Sequence, residues 1–293
     1  MDKGILARSV AAPDMKVAAD LFVSSLNDPI LTPFFISIDH SPSEQIDGSE
    51  WHTSALIISQ NMEHQLIADE LGKRVNSKGG VLIQWKKAKS LYKKKFHEEF
   101  FHVLKGYPVL AIVVSARENT IISHEQGFAN ELGISDFYRK VEKNGKVKVE
   151  LGPFVWDGEE KQETHVVSDR HAPMAFFTAS HLLRVHSFIK SAICSRLNVV
   201  DFQFCMSVGS DKPPADFSGP YAKMMWLLLG GGNAAGKFTW GGATCTEDFE
   251  IDILADNLAG LFREINESPE KYEYQGRDLV PPITGVFLWE KLE

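Results

Sequence analysis

The chain has 293 residues, of which 44% are hydrophobic and 24% charged, so it can bury a sizeable core in one large domain or two small ones. Its 39 acidic and 31 basic side chains give a formal net charge of −8, which excludes a general nucleic-acid coat protein but not an enzyme with one local basic strip. The three cysteines have no CxxC spacing, which argues against a disulfide framework or a zinc ribbon and favours a reducing, cytoplasmic setting. Arg8, Asp14 and Lys16 interrupt any signal-peptide core, and no apolar run reaches the length of a membrane span, so we expect no membrane partner.

The first half of the chain predicts a mixture of strands and helices. Residues 34–39 form an apolar run that ends in Asp39 and turns at once, which is typical of a buried strand with a carboxylate at its end. The run 53–59 follows closely enough to pair with it antiparallel. The other predicted elements are helices over 14–26, 62–74 and 86–105, the last with Leu91, Phe96, Phe100, Phe101 and Leu104 on its buried side, and a buried strand over 109–115.

A charged, alternating segment interrupts the middle of the chain, after helical patterning over 118–132. Asn144-Gly145 stands between two runs in which valine alternates with charge, and this dipeptide is the strongest short signal for a β-hairpin. We therefore predict a two-stranded flap over 141–149, within an inserted hairpin that covers about residues 139–157.

The second half predicts a strand over 164–169, which ends in Asp169, and a strand over 199–206. Helices are predicted over 174–197, 217–229 and 248–266. Strands that alternate with helices after an opening antiparallel pair indicate a single α/β domain around a mixed sheet, with its core at about 34–266.

Carboxylates recur at points where this sheet would end. Asp39 and Asp169 each close a predicted strand, and Asp252 and Asp256 lie one turn apart on the last helix. The residues around Asp256 are small and would let that helix approach the sheet closely: Ala255, Ala259 and Gly260. The structural alternative is a strand-end aspartate that caps a turn and a helix flank that is merely solvated.

These three motifs, in this order, resemble the ribonuclease H-like superfamily and, more narrowly, a widespread bacterial and phage family known as domain of unknown function 3800. Members of that family open with a strand ending in Asp-Glu-Ser-Gly and close with a helix bearing Ala-Asp-x-x-Ala-Gly. The closing motif is present as Ala255-Asp256-Asn257-Leu258-Ala259-Gly260. The opening is Asp39-His40-Ser41-Pro42, so the Glu and Gly of the family motif are absent.

The resemblance implies a ribonuclease H-like mixed sheet flanked by helices, with a site that hydrolyses phosphodiester bonds through two divalent ions. Mg²⁺ or Mn²⁺ would be the cofactor, since both prefer hard oxygen ligands. Asp39 would bridge the ions, with Asp169 and Asp256 on either side. A fourth carboxylate would come from one of four residues: Glu44, Asp47, Glu50 or Asp252. His171 and His40 are the candidates for proton transfer, with ordinary surface histidines as the alternative.

One predicted helix carries six lysines within ten residues: Lys86, Lys87, Lys89, Lys93, Lys94 and Lys95. They would contact a phosphate backbone without sequence preference, although such a run is ordinarily a solvated helix face. Trp85 and Tyr92 offer rings either for base stacking or for packing.

A glycine-rich loop from Gly231 to Lys237 satisfies the GxxxxGK spacing of phosphate-binding loops. However, Phe238 stands where a Ser or Thr would hold Mg²⁺, and Thr239-Trp240-Gly241-Gly242 does not begin a helix. We therefore interpret it as a substrate-gating loop near the carboxylates and predict no nucleotide cofactor.

The predicted function is that of a metal-dependent nuclease or phosphodiesterase with a nucleic acid or a nucleotide as substrate. One alternative is an inactive ribonuclease H-like protein that binds nucleic acid or a nucleotide in the same cleft. Another is a protein-interaction component of a defence or mobile-element system, in which the aspartates are merely solvated.

Overall fold

A computed structural model gives the fold over residues 12–26, 34–41, 51–59, 63–117, 119–121, 123, 138–155, 162–168, 204–208, 238–239, 249–272 and 286–292. Its helices include α1 (Ala12–Ser25), α2 (Glu63–Val75), α3 (Ser90–Leu104) and α4 (Phe249–Glu267), with short 3-10 helices at Trp85–Lys87 and Pro269–Tyr272. Its strands include β1 (Phe34–Ser41), β2 (Trp51–Ser59), β3 (Leu110–Arg117), β4 (Tyr138–Lys143), β5 (Lys146–Val155), β6 (Gln162–Ser168), β7 (Phe204–Val208), β8 (Phe238–Thr239) and β9 (Val286–Leu292).

The larger sheet has six described strands in the order β8-β7-β1-β2-β3-β9. The first three strands along the chain pair antiparallel, β1 with β2 and β2 with β3. The outer strands run parallel to their neighbours, with β7 beside β1, β8 beside β7 and β9 beside β3. The mixed α/β class and the antiparallel opening pair expected from the sequence are confirmed.

Helices α2, α3 and α4 share one core with this sheet. That core joins Ala55, Val113 and Trp289 of the strands to Leu258 and Phe262 of α4. The apolar residues of α4 recur at three- and four-residue spacing, so one side of the helix can be buried continuously, and each large side chain there stabilises the fold by about 1.5–3 kcal/mol. Side chains in the same cross-strand row as Ala55, Val113 and Trp289 therefore face these helices.

The lysine-rich segment is not one helix over 86–105, and this prediction is wrong at its start. Trp85–Lys87 is a separate 3-10 helix, the next residue, Ala88, is extended, and α3 begins only at Ser90. The break lets the Trp85 indole pack on Gly260 of α4, a contact between distant parts of the chain that helical periodicity does not reveal.

The buried side of α3 is also shifted from the prediction. Tyr92, Phe96 and Phe100 follow one another at four-residue spacing and are all buried. Leu91, expected on that side, is 68% exposed. The remaining predicted core residues are confirmed: Phe96, Phe100, Phe101 and Leu104.

The inserted flap contains the predicted hairpin but is larger than two strands. Asn144 and Gly145 both have positive φ, 57° and 68°, which is the backbone of a two-residue hairpin turn between β4 and β5. Strand β6 then pairs along the other edge of β5, with one extra residue in β5 between Leu151 and Phe154. The strand predicted over 164–169 thus belongs to a separate three-stranded sheet and not to the sheet that holds β1.

The larger sheet also extends beyond the predicted core of 34–266. Strand β9, which the sequence analysis did not predict, pairs with β3, and α1 packs against both strands.

Phe238–Thr239 forms a strand. The residues directly after Lys237 therefore do not begin a helix, as the sequence predicted. Among the described helices, none combines the length and apolar character needed to cross a membrane.

Candidate metal and nucleic-acid site

Asp39 lies near the carboxyl end of β1, one residue past the last pair that β1 makes with β7. Across the sheet it is in register with Ala55 and, through it, with Val113 and Trp289. Directly opposed residues share a face, so Asp39 lies on the face that packs against α4. Its half-buried carboxylate accepts a hydrogen bond at Oδ1 from the backbone N–H of His40, at 2.8 Å.

The two proton-transfer candidates fall in different places. His40 is in register with Ser54, one position along from Asp39, and therefore lies on the opposite face of the sheet. This placement separates the His40 ring from the Asp39 carboxylate. His171 lies outside the described residues.

Asp256 lies on α4 and is half-buried. Its Oδ2 accepts a hydrogen bond from the backbone N–H of Trp85 at 2.7 Å, so the carboxylate holds the first residue of the 3-10 helix Trp85–Lys87. One turn later on α4, Gly260 lies beneath the Trp85 indole, where an added Cβ would stand 2.2 Å from ring carbons. Asp256 therefore has a structural contact whatever else it binds.

Asn257, the next residue of the closing motif, is fully buried and extends this attachment. Its Nδ2 donates to the carbonyl of Ile83 at 3.0 Å, and its Oδ1 accepts from the hydroxyl of Tyr92 at 3.0 Å. Burial raises the pKa of the Tyr92 hydroxyl, and the nearby charge of Asp256 adds to the rise. The sequence analysis did not single out Asn257; its signal is an amide within the apolar stripe of a helix.

Glu264 completes the attachment two turns beyond Asp256. Its carboxylate accepts from the indole N–H of Trp85 at 2.8 Å and from the hydroxyl of Tyr272 at 2.6 Å, and it forms an ion pair with Lys93. Burial alone would raise the pKa of Glu264, but the hydrogen bonds from Lys93, Tyr272 and Trp85 together hold it below the ordinary carboxyl value. Glu264 is therefore ionised and fixes the lysine-bearing segment to α4.

The lysine strip divides into structural and exposed members. Lys93 pairs with Glu264, and its Nζ lies 4.9 Å from the centroid of the Trp85 ring. Trp85 and Tyr92 are only 2% and 7% exposed, so both rings pack in the core and the packing interpretation is confirmed. The side chains that face solvent are Lys86, Lys87, Lys89 and Lys94, while Lys95 is half-buried.

The expected metal ligands are only partly within the described residues. Asp39 and Asp256 are described with their side chains, Asp252 with its backbone in α4, and Asp169 lies outside the described residues, directly after β6. No three His, Cys, Asp or Glu side chains in the described ranges are grouped as a metal site. The described carboxylates of Asp39 and Asp256 match the hard oxygen donors that Mg²⁺ or Mn²⁺ requires.

A polar row at the carboxyl end of β3 and β9 was missed by the sequence analysis. Trp51, the first residue of β2, has two cations over its ring, from Arg117 and Lys291. The hydroxyls of Thr53 and Ser115 are 3.1 Å apart, two strand positions closer to the core. The signal available in the sequence was Trp51 at the start of β2 and Arg117 at the end of β3, the strand that pairs with β2.

The described site thus combines a strand-end carboxylate, a covering helix with its own carboxylates, and a set of exposed lysines held rigidly against that helix. Each of these elements comes from a different part of the chain. Comparisons of the chain with protein-family models, with curated proteins and with solved structures gave no match.

Proposed function

We propose that this protein is a metal-dependent nuclease or phosphodiesterase of ribonuclease H-like type. The observation that carries the proposal is the position of Asp39. It lies at the end of the β1–β7 pairing, on the sheet face covered by α4, the helix that bears Asp252 and Asp256. A carboxylate between a strand end and a covering helix can contribute to a shared metal site without being buried in the core.

The order of the elements supports the ribonuclease H-like part of the proposal. An opening antiparallel pair is followed by a third strand on one side of β2 and by parallel strands on the other side of β1. The closing helix α4 then crosses back over β1 and β2. The separate sheet β4-β5-β6 interrupts this order as an insertion.

In the proposed chemistry, Asp39, Asp169, Asp252 and Asp256 would hold Mg²⁺ or Mn²⁺, and the bound ions would activate water and neutralise the leaving oxygen. The exposed lysines around the 3-10 helix Trp85–Lys87 would bind phosphates of the substrate. Asp256 and Glu264 fix that helix to α4, so the lysines and the carboxylates would keep a constant relative position. His171 would be the proton-transfer residue, because His40 lies on the other face of the sheet.

Thermal unfolding with and without Mn²⁺ tests the proposal. The ion should raise the melting temperature of the parent protein, since ligand at a hundredfold excess over its Kd stabilises by ~2.7 kcal/mol. Asp39→Asn keeps the shape of the side chain and should abolish both this shift and any EDTA-sensitive cleavage of nucleic acid. Asp69→Asn, at an exposed site on α2, is the matched control and should change neither. An undiminished Mn²⁺ shift in Asp39→Asn would contradict the proposal.

One observation favours the inactive binding protein as a second candidate. Asp256 uses one carboxylate oxygen to hold Trp85, which directs it toward the lysine-bearing segment. A site used only for binding would need that attachment and no metal. Binding of a single-stranded oligonucleotide in EDTA, with no turnover in Mn²⁺ or Mg²⁺, would favour this candidate over the nuclease.

A further inference from the structure

The lysine strip concentrates positive charge on a protein that is acidic as a whole. Residues 81–97 contain six lysines and no Asp or Glu, whereas the chain has a formal net charge of −8. Lys93 is neutralised by Glu264 of α4. The members that face solvent are Lys86, Lys87, Lys89 and Lys94. In the part of the chain that the structure describes, none of these four lies within ion-pair distance of a carboxylate. Their charges can therefore act on a ligand outside the protein.

The same segment presents charge to solvent without an aromatic face. The Trp, Tyr and Phe side chains within residues 81–97 are Trp85, Tyr92 and Phe96, and all three are buried. The Trp85 indole packs on Gly260, and the Tyr92 ring stacks on Phe96 with centroids 6.4 Å apart. Proteins that bind single strands combine a basic groove with aromatic rings on which bases stack. The lysine strip supplies the first of these features and buries the second.

The backbone under the exposed lysines is held in place by α4. The lysines are carried by the 3-10 helix Trp85–Lys87, by the two residues after it and by α3. Asp256 holds the 3-10 helix through the backbone N–H of Trp85, and Asn257 holds α3 through the hydroxyl of Tyr92. This backbone is therefore ordered before a ligand binds, so that binding has to order only the lysine side chains.

We propose that the exposed lysines of the strip bind the phosphate backbone of a nucleic-acid duplex, without contact to its bases or sugars. The proposal rests on the proposed function, because it names the substrate class for the same site. Lysine acts on a phosphate as a point charge and reads no base in doing so. A duplex carries one negative charge per about 1.7 Å of its axis, twice the density of either of its strands. A surface with charges and no stacking rings therefore gains more from a duplex than from a single strand.

The release of counterions sets the size of this preference. With one phosphate contact for each of the four exposed lysines, the slope of log affinity against log salt should be about −3.6 for a duplex and about −2.8 for a single strand. At 0.1 M salt this difference corresponds to binding of the duplex that is about sixfold tighter.

The test measures fluorescence anisotropy of a labelled DNA duplex of about 15 base pairs and of its separate strands, in EDTA so that cleavage does not contribute. Lys87→Gln and Lys89→Gln should each reduce the steepness of the salt slope for the duplex by about 0.9, and each should weaken its binding about eightfold at 0.1 M salt. Lys87→Arg keeps the charge and should retain both the parent slope and the parent affinity. Lys73→Gln removes an exposed lysine of α2 and is the charge-matched control, with both quantities unchanged.

Unchanged affinity and salt slope in both Gln variants would overturn the proposal. Tighter binding of the single strand, with the same dependence on Lys87 and Lys89, would overturn the duplex assignment. An RNA duplex of the same sequence should bind as the DNA duplex does, and strong discrimination between the two would reveal contacts beyond the phosphates. Lysine-dependent binding to phosphatidylserine vesicles, with no binding of either duplex, would replace the nucleic acid by a membrane surface.

The nuclease proposal fails separately from this one. Duplex binding in EDTA that depends on Lys87 and Lys89, without Asp39-dependent cleavage in Mn²⁺, would support the duplex assignment and remove the activity. Asp39-dependent cleavage that is unaffected by both Lys→Gln substitutions would keep the activity and remove the role of the lysine strip.

Discussion

Two tryptophans of this protein lie under cations, but the charges around them differ. At Trp85 the cation is Lys93, and the carboxylate of Glu264 binds both the lysine and the indole N–H. At Trp51 the ring meets two cations, Arg117 and Lys291. Unlike charges therefore meet at the first ring and like charges at the second.

This difference separates a contact in which unlike charges attract one another from a contact in which two like charges repel. The Trp85 contact is half-buried, balanced in charge and attached to α4 through Asp256 and Gly260, so its removal should destabilise the protein. In the Trp51 contact the repulsion between Arg117 and Lys291 offsets part of their attraction to the ring, so removing this contact should cost less stability. The four predictions below test this contrast, from the largest expected effect on stability to the smallest.

Acid should destabilise the protein through His97, whose neighbour Tyr272 donates a hydrogen bond to Glu264 of the Trp85 contact. This histidine packs edge-on against Tyr272, with ring centroids 5.4 Å apart, and burial lowers its pKa from 6.5 to about 4. The unfolded chain binds a proton below pH 6.5 while the folded protein does not, so stability is fully present above that pH and falls as the pH approaches 4. The loss should reach about 3 kcal/mol. Urea unfolding of His97→Phe should show a smaller loss over this pH range, and an identical loss in parent and variant would contradict the assignment.

Gly260→Ala should destabilise the protein by about 2 kcal/mol, because overpacked cores lose 1–3 kcal/mol as side chains shift. The new Cβ would meet ring carbons of Trp85 at 2.2 Å, and a buried indole has little room to move. Gly106→Ala is the matched control, since its Cβ would lie 3.5 Å from the nearest atom, the carbonyl oxygen of Val103. Urea denaturation midpoints measure both. Equal midpoints for the two variants would show that Trp85 is not held tightly against α4.

Glu264→Gln should destabilise the protein by about 1–2 kcal/mol at neutral pH, because Lys93 would then lie beside a neutral amide instead of a carboxylate. The pKa of Glu264 is lowered in the folded protein, so its charge stabilises the fold above the ordinary value of 4.5 and this contribution is lost as the pH falls through the folded pKa. The difference between parent and variant should therefore shrink in acid. Glu270→Gln, at an exposed residue nearby, is the control. A difference that stays constant down to low pH would refute the role of the charge.

The sequence predicted those parts of the fold that local chemistry determines. Asn144-Gly145 gives its hairpin turn because both residues adopt positive φ readily, and the apolar stripe of α4 is regular enough to define the helix within a residue at each end. Such local patterns do not predict which strands the later strands pair with. The run over 164–169 indicates a strand but not which sheet it joins, and β9 lies far along the chain from its partner β3.

The candidate site shows the same limit. The position of Asp39 at the end of a strand pairing followed from the apolar run before it, but its face relative to α4 depends on the register with Ala55 and Val113. Asp256 was identified as a metal-ligand candidate, yet its contact with Trp85 joins residues 171 positions apart. No periodicity in either segment encodes that contact. Sequence reasoning therefore found the carboxylates, while the structure reveals what one of them already holds.

The last prediction concerns the sign of two coupling energies, measured by double-mutant cycles on stability. For Lys93→Met and Glu264→Gln the coupling should be favourable by about 1 kcal/mol, because unlike charges meet in a half-buried contact. For Arg117→Met and Lys291→Met it should be unfavourable by a few tenths of a kcal/mol, since removing one cation relieves the repulsion felt by the other. The two cations are within about one Debye length at 0.1 M salt, so the second coupling should grow at low ionic strength and shrink at high. A favourable coupling between Arg117 and Lys291 would mean that the Trp51 contact holds the fold as the Trp85 contact does, and the contrast between the two tryptophans would be lost.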